Sequence, residues 1–386
     1  MKEKKKGKHQ KLKIVLSILL AIAIIFGIVI FLILKNTVLV KRPELKENPE
    51  VGKWYRITPE TAKSSDGSEW HGLIKLGKEK DKVVVYFFGG GVSITPHTSE
   101  KGKEFFATTV SIQDFVASGG IGSDSEDNPF KDWTFLVLPY ATGDFHTGTG
   151  EYKFTDNKGK EKIVYHNGYN NYSAFMEEAK KYIGEPTNLL VTGFSAGGFA
   201  TSLLADDVID HFPQASNITV SVDSSLLLYD DWHKTSTDLW NSPIEISDRL
   251  TGNNIVLDSL TALHEKRGDS VKILFDCSVR DDTLQEYQAY IDKGKMEKSK
   301  ENGDKFQKDL KQMISGLQEN IEGIGIYIWN VESSKETKNT QHTIISSEQV
   351  YKLKFNDNKT IAGWMMDAVN GNVKSYGLDL VDKNYK

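Results

Sequence analysis

Apolar residues fall into three patterns along this 386-residue chain. The first is an unbroken run, residues 14–34, with no charged side chain. At 1.5 Å rise per helical residue it is long enough to cross the ~30 Å bilayer core, and it exceeds the ~7–15 apolar residues of a signal peptide. No small-residue cleavage site follows it, so the pattern predicts one transmembrane helix. The second pattern is a series of short β-branched and aromatic runs at 83–88, 134–138, 188–192, 218–222, 271–275 and 324–329, which predict buried strands. The third is helical spacing, clearest at 172–183, where Phe175, Ala179, Tyr182 and Ile183 recur on one face, and at 197–209. Strands alternating with helices predict a mostly parallel sheet covered on both faces, with ligands bound beyond the carboxyl ends of its strands. Residues 284–320 are highly charged and carry Ile291, Met296, Phe306, Leu310 and Met313 at loosely helical intervals. They predict a helical insertion, either a cap over the site or a solvated pair on the flank.

Charge orients the first pattern. Residues 1–13 hold seven Lys against one Glu, a formal +6, so the rest of the chain carries −11 of the net −5. A basic tail stays in the cytoplasm, which makes residues 1–13 a cytoplasmic tail, 14–34 a single span in the lipid bilayer and everything beyond it extracellular. Residues 35–52, with Pro43 and Pro49, read as a juxtamembrane linker, and 53–386 as one domain without repeats. An acidic ectodomain argues against nucleic acid as a partner. Cys277 is the only cysteine, which excludes an intrachain disulfide and favours a bacterial envelope protein over a eukaryotic secreted one.

The chemistry centres on Gly193-Phe194-Ser195-Ala196-Gly197, between an apolar strand and a predicted helix. In that setting G-x-S-x-G predicts a strained turn that exposes a nucleophilic Ser195, and hence an α/β-hydrolase fold in the order serine, acid, histidine. His342 is the one histidine after Ser195 that also lies beyond the last predicted strand, which makes it the candidate base. The acid is open on physical grounds among Asp281 and Asp282, after the strand 271–275, and Asp223, at the end of 218–222. Gly89-Gly90-Gly91-Val92 follows an early strand and, together with the amide of Ala196, predicts an oxyanion hole. The Lys-Ser/Thr ending of a phosphate-binding loop is absent, and neither a cofactor motif nor metal-ligand spacing occurs. Asp144 and His146 sit at the end of a predicted strand, where they could contact a leaving alcohol, or Asp144 could pin its loop through backbone amides.

These motifs together resemble the pectin acetylesterase and Notum family of serine carboxylesterases. The resemblance rests on Gly89-Gly90-Gly91, Pro139-Tyr140-Ala141-Thr142-Gly143-Asp144 with Gly148, His166-Asn167-Gly168, the run 193–198, Val222-Asp223-Ser224, Asp282-Thr283-Leu284-Gln285 and His342. It implies a triad of Ser195, Asp282 and His342, the acid falling at the head of an Asp-x-x-Gln element. It also implies oxyanion donors at Gly91, Val92 and Ala196; beside them Gly90 and Phe194 are candidate substrate contacts. Where family members carry Trp and Cys, this chain has Val92, Ser93 and Ala141, so an aromatic wall of the acyl pocket is expected to be missing unless Phe194 or Phe145 replaces it. The implied activity is removal of an acetyl or other acyl group from a glycan or small molecule without a cofactor. A lipase- or peptidase-like hydrolase and a noncatalytic envelope binding protein are the alternatives.

Overall fold

The computed structural model describes residues 41–111, 113–354 and 358–385. The expected tail 1–13 and span 14–34 lie outside them; among the described residues no helix is long and apolar enough to cross a membrane. Most of the expected linker is firmly placed. Leu45 N–H donates to Arg56 O and Arg56 N–H to Pro43 O, which ties residues 43–45 to the first strand.

Among the described residues ten strands form: β1 Trp54–Ile57, β2 Gly72–Lys75, β3 Glu79–Phe87, β4 Trp133–Leu138, β5 Gly150–Thr155, β6 Glu161–His166, β7 Asn188–Phe194, β8 Asn217–Asp223, β9 Val271–Ser278 and β10 Gly325–Trp329. Eight make one sheet in the order β1-β2-β4-β3-β7-β8-β9-β10, in which only β2 runs against the rest. Strands β5 and β6 pair separately as a hairpin. Parallel strands buried on both faces need apolar residues at successive positions, not at alternate ones. Residues 83–87, 135–138 and 189–191 meet this condition and are almost wholly shielded from solvent.

Parallel neighbours require crossovers, and helices supply them. They are α1 Gly168–Ala179, α2 Ala196–Asp210, α3 Ile255–Arg267, α4 Leu284–Lys293 and α5 Lys300–Asn320, followed by α6 Ile361–Val369 beyond the last strand. Helix α2 is buried nearly all round, as its Ala, Gly, Leu and Val content predicts for a helix pressed between the sheet and other helices. The charged segment 284–320 is the crossover from β9 to β10. Helix α5 buries Phe306, Leu310, Met313, Ile314 and Leu317 against the body and turns its charges outward, while α4 begins at the edge of the site.

Candidate active site

The candidate catalytic and oxyanion residues emerge at the carboxyl edge of the sheet. The glycine loop follows β3, Asp144 and His146 follow β4, Ser195 follows β7, Asp223 ends β8, Asp281 and Asp282 follow β9, and His342 follows β10. Ser195 has φ 54° and ψ −127°, a backbone conformation that costs about 1–3 kcal/mol for a non-glycine residue and persists only where the surroundings impose it. They do so here: Ser195 N–H donates to Asp223 O at 2.9 Å, and Ser225 Oγ donates to Ser195 O at 2.8 Å. The turn is too tight for side chains at its glycines. A Cβ on Gly193 would lie 2.2 Å from Gly197 O, and one on Gly197 2.0 Å from Phe87 O.

The amide of Ala196 opens α2, so it adds to the positive end of that helix at the serine. Among the described residues no acceptor takes the N–H of Ala196 or of Gly91, and both residues line the same small cavity as Ser195. Val92 departs from expectation. Its N–H donates to Phe105 O at 3.1 Å, because residues 105–107 strap across the glycine loop as a one-bridge ladder, with Ala107 N–H on Gly90 O at 2.7 Å. The Val92 amide is therefore committed to structure, while its side chain walls the cavity.

The acid expected at Asp282 is also corrected. His342 Nδ1 lies 2.7 Å from Oδ2 of Asp281, which is wholly buried and whose Oδ1 accepts the N–H groups of Thr283 and Leu284 at 3.0 and 2.8 Å. Asp282 turns away, accepting from Thr283 Oγ1 at 3.0 Å and facing Lys298 at 3.7 Å. The reason is strand geometry. Asp281 pairs with Thr340 in a parallel bridge, and extended residues alternate faces, so neighbours in sequence point to opposite sides while Thr340 and His342 share one. The returning loop is clamped by Arg280, fully buried, whose guanidinium donates to the carbonyls of Lys338, Thr337 and Lys300 and to the side chains of Asp304 and Gln307.

Burial pushes the His342 imidazole towards its neutral form, but the carboxylates of Asp281, Asp223 and Asp282 outweigh it and hold the pKa above the ordinary 6.5. Its Nε2 is buried without a partner among the described residues, as befits an atom kept for a reacting group. Asp223 does not reach the ring. Its Oδ2 accepts the N–H groups of Ile344 and Ile345 at 2.9 and 3.0 Å, so one residue fixes the serine turn through its carbonyl and the histidine loop through its carboxylate. Asp276, its register neighbour on β9, is driven strongly towards the protonated form by burial and by the nearby charge of Asp223.

Asp144 and His146 lie behind the site and not on its rim. Asp144 is fully buried and accepts from Thr142 Oγ1 and from the amides of His146, Gly148 and Gly168 at 2.6–3.2 Å; burial, only partly offset by these bonds, raises its pKa to about 6. His146, held neutral by burial with its pKa lowered to about 4, donates from Nε2 to Phe88 O at 3.0 Å and so braces the glycine loop from below. Their polar atoms serve the scaffold, which corrects the expectation of contact with the leaving alcohol.

The family model described as Pectinacetylesterase matches residues 48–241, half of the chain. The chain belongs to the pectinacetylesterase family. It is accordingly a carboxylesterase-type hydrolase. Two crystal forms of the Wnt deacylase Notum from Drosophila share the fold. One is 15% identical with TM-score 0.58, covering 83% of this chain and 95% of that one. The other is 15% identical with TM-score 0.56, covering 82% and 92%. No curated protein matches.

In this pectinacetylesterase-family chain two spaces flank the serine turn. The cavity at Ser195 has only about 10 Å³ free and is walled by Gly91, Val92, Phe145, Phe199, Leu227 and Tyr287, among others. Phe145 stacks on Phe199, with ring centroids 4.3 Å apart and planes 4° from parallel, and both rings wall the cavity. On the other side an open groove of about 650 Å³ runs over Gly89, Gly90, Phe194, the strap 103–109 and Ser346. Gly90 and Phe194, the expected substrate contacts, both line this groove. Sequence reading missed the strap, Arg280 and Tyr287, none of which carries a motif.

Proposed function

We propose that this protein is a membrane-anchored extracellular deacetylase of glycans that acts through an acyl-enzyme on Ser195. The observation that carries the reading is the inequality of the two spaces. About 10 Å³ is near the least that one water occupies, so the acyl side suits a methyl group and not a chain. The groove of about 650 Å³ falls in the range of ligand sites and suits a bulky alcohol such as a saccharide. A long-chain lipase needs the reverse proportion.

Ser195 Oγ attacks the ester carbonyl and passes its proton to Nε2 of His342. The imidazolium formed is stabilised by Asp281, whose charge is already bonded to Nδ1. The oxyanion is held by the amides of Gly91 and Ala196, and collapse of the tetrahedral species returns the proton from His342 to the departing sugar oxygen. Water, activated by the same Nε2, then releases acetate and restores Ser195. A fluorophosphonate should label the folded wild-type protein at Ser195 and leave Ser195→Ala unlabelled. Among model substrates, acetyl esters of saccharides should turn over and peptide amides should not. Folded wild-type protein that resists the label would refute the mechanism.

A further inference from the structure

Tyr287 is the one described side chain that lines both spaces. It stands on α4, six residues beyond Asp281, and its hydroxyl donates to the carbonyl of Phe105 on the strap. That carbonyl is the same one that accepts the Val92 amide, so Tyr287 ties the crossover helix to the strap and the strap to the glycine loop. The contact is close: a Cβ on Gly91 would lie 2.4 Å from the Tyr287 oxygen and 2.0 Å from Phe105 O. Phe105 in turn packs edge-on against Tyr290, three residues further along α4, at 4.7 Å. Burial raises the phenol pKa, so the hydroxyl stays a donor throughout the neutral range.

We infer that Tyr287 sets the acyl-chain length this enzyme accepts, its ring being the partition that ends the cavity at Ser195 before it can open into the groove. The inference rests on the proposed deacetylase reading and adds the residue that enforces it. Val92, Phe145, Phe199 and Leu227 close the cavity from within the core, where each is at most 2% exposed. Tyr287 is half-buried and stands at the boundary, so it is the wall whose removal connects the cavity to a space able to hold several more methylenes. Bulk and hydrogen bond are separable: Phe keeps the ring and loses the hydroxyl.

The test is a chain-length series of 4-nitrophenyl acetate, butyrate, hexanoate and octanoate, read as kcat/KM. Wild type should prefer acetate to hexanoate by about tenfold or more, since one misfitting methylene is worth roughly 10–200-fold in a tight pocket. Tyr287→Ala should move the hexanoate-to-acetate ratio upward by at least about tenfold, and Tyr287→Phe should leave the ratio within about threefold of wild type. Should the alanine variant fail to fold, Tyr287→Leu carries the test, with an expected upward shift of about threefold. An active alanine or leucine variant with an unchanged profile overturns the role of Tyr287 and leaves the deacetylase reading standing. A wild type that turns over hexanoate as well as acetate, or no ester at all, overturns both.

Discussion

At the scale of residues, the pair Asp281 and Asp282 shows how little in sequence separates a buried carboxylate bonded to His342 from one turned towards Lys298. Both follow β9, and both lie close enough to raise the His342 pKa, but only Asp281 is bonded to the ring. Asp281→Asn should therefore cut kcat by roughly 10⁴-fold, the usual loss when the acid of such a triad is neutralised, while Asp282→Asn should cost about threefold or less. The pH dependence follows the same charges. Only neutral His342 can accept the serine proton, so kcat/KM should rise with pH through an acid limb centred above 6.5, the direction in which its pKa is shifted. In Asp281→Asn the residual activity should show that limb displaced downward, because burial then acts with less opposing charge. A limb that stays in place in Asp281→Asn and moves in Asp282→Asn would reverse the assignment. The candidates themselves were legible: order along the chain singled out Ser195 and His342. The choice between two adjacent acids was not, because it depends on which face of an extended segment Thr340 happens to pair with.

At the scale of elements, the site is assembled where loops from six strands meet, and the glycine loop depends most on its neighbours. Gly91 has φ +81°, and the strap and Tyr287 press on the position where a side chain would begin. Gly91→Ala should retain the amide but displace it, lowering kcat on the order of 10²-fold, as loss of one oxyanion donor does, with a smaller effect on KM. Steady-state kinetics with a thermal melt would check this, and a variant that is folded and fully active would exclude Gly91 as a donor. The strap itself left no trace in the hydrophobic pattern. Its Phe105 and Phe106 are ordinary apolar residues until the fold lays them across Gly91, and the N–H of Val92, free in any sequence reading, is then spent on Phe105 O. The charged segment 284–320 was legible as helical but not as a crossover, since that depends on β10 lying parallel beside β9.

At the scale of the whole molecule, the proposed arrangement is a catalytic domain held outside the cell by residues 14–34, with its basic tail inside. Protease added to intact cells should then digest the domain and spare the tail, and protection of both would contradict the orientation. The sequence by itself determined the properties that depend on local order: buried parallel strands as continuous apolar runs, a glycine-flanked serine between strand and helix, and the sequence of serine, acid and histidine. These were readable because periodicity, chain order and the steric demands of a tight turn are written within a few residues of one another. Only the tertiary structure decided which acid meets His342, that Asp144 and His146 lie behind the site, that Arg280 clamps the histidine loop, and that the space beside Ser195 is closed by Tyr287. Each of those depends on register or packing between segments distant in sequence, such as Asp281 with Thr340 and Tyr287 with Phe105. A one-residue change of register exchanges the faces of an extended segment, and no local pattern specifies that partner.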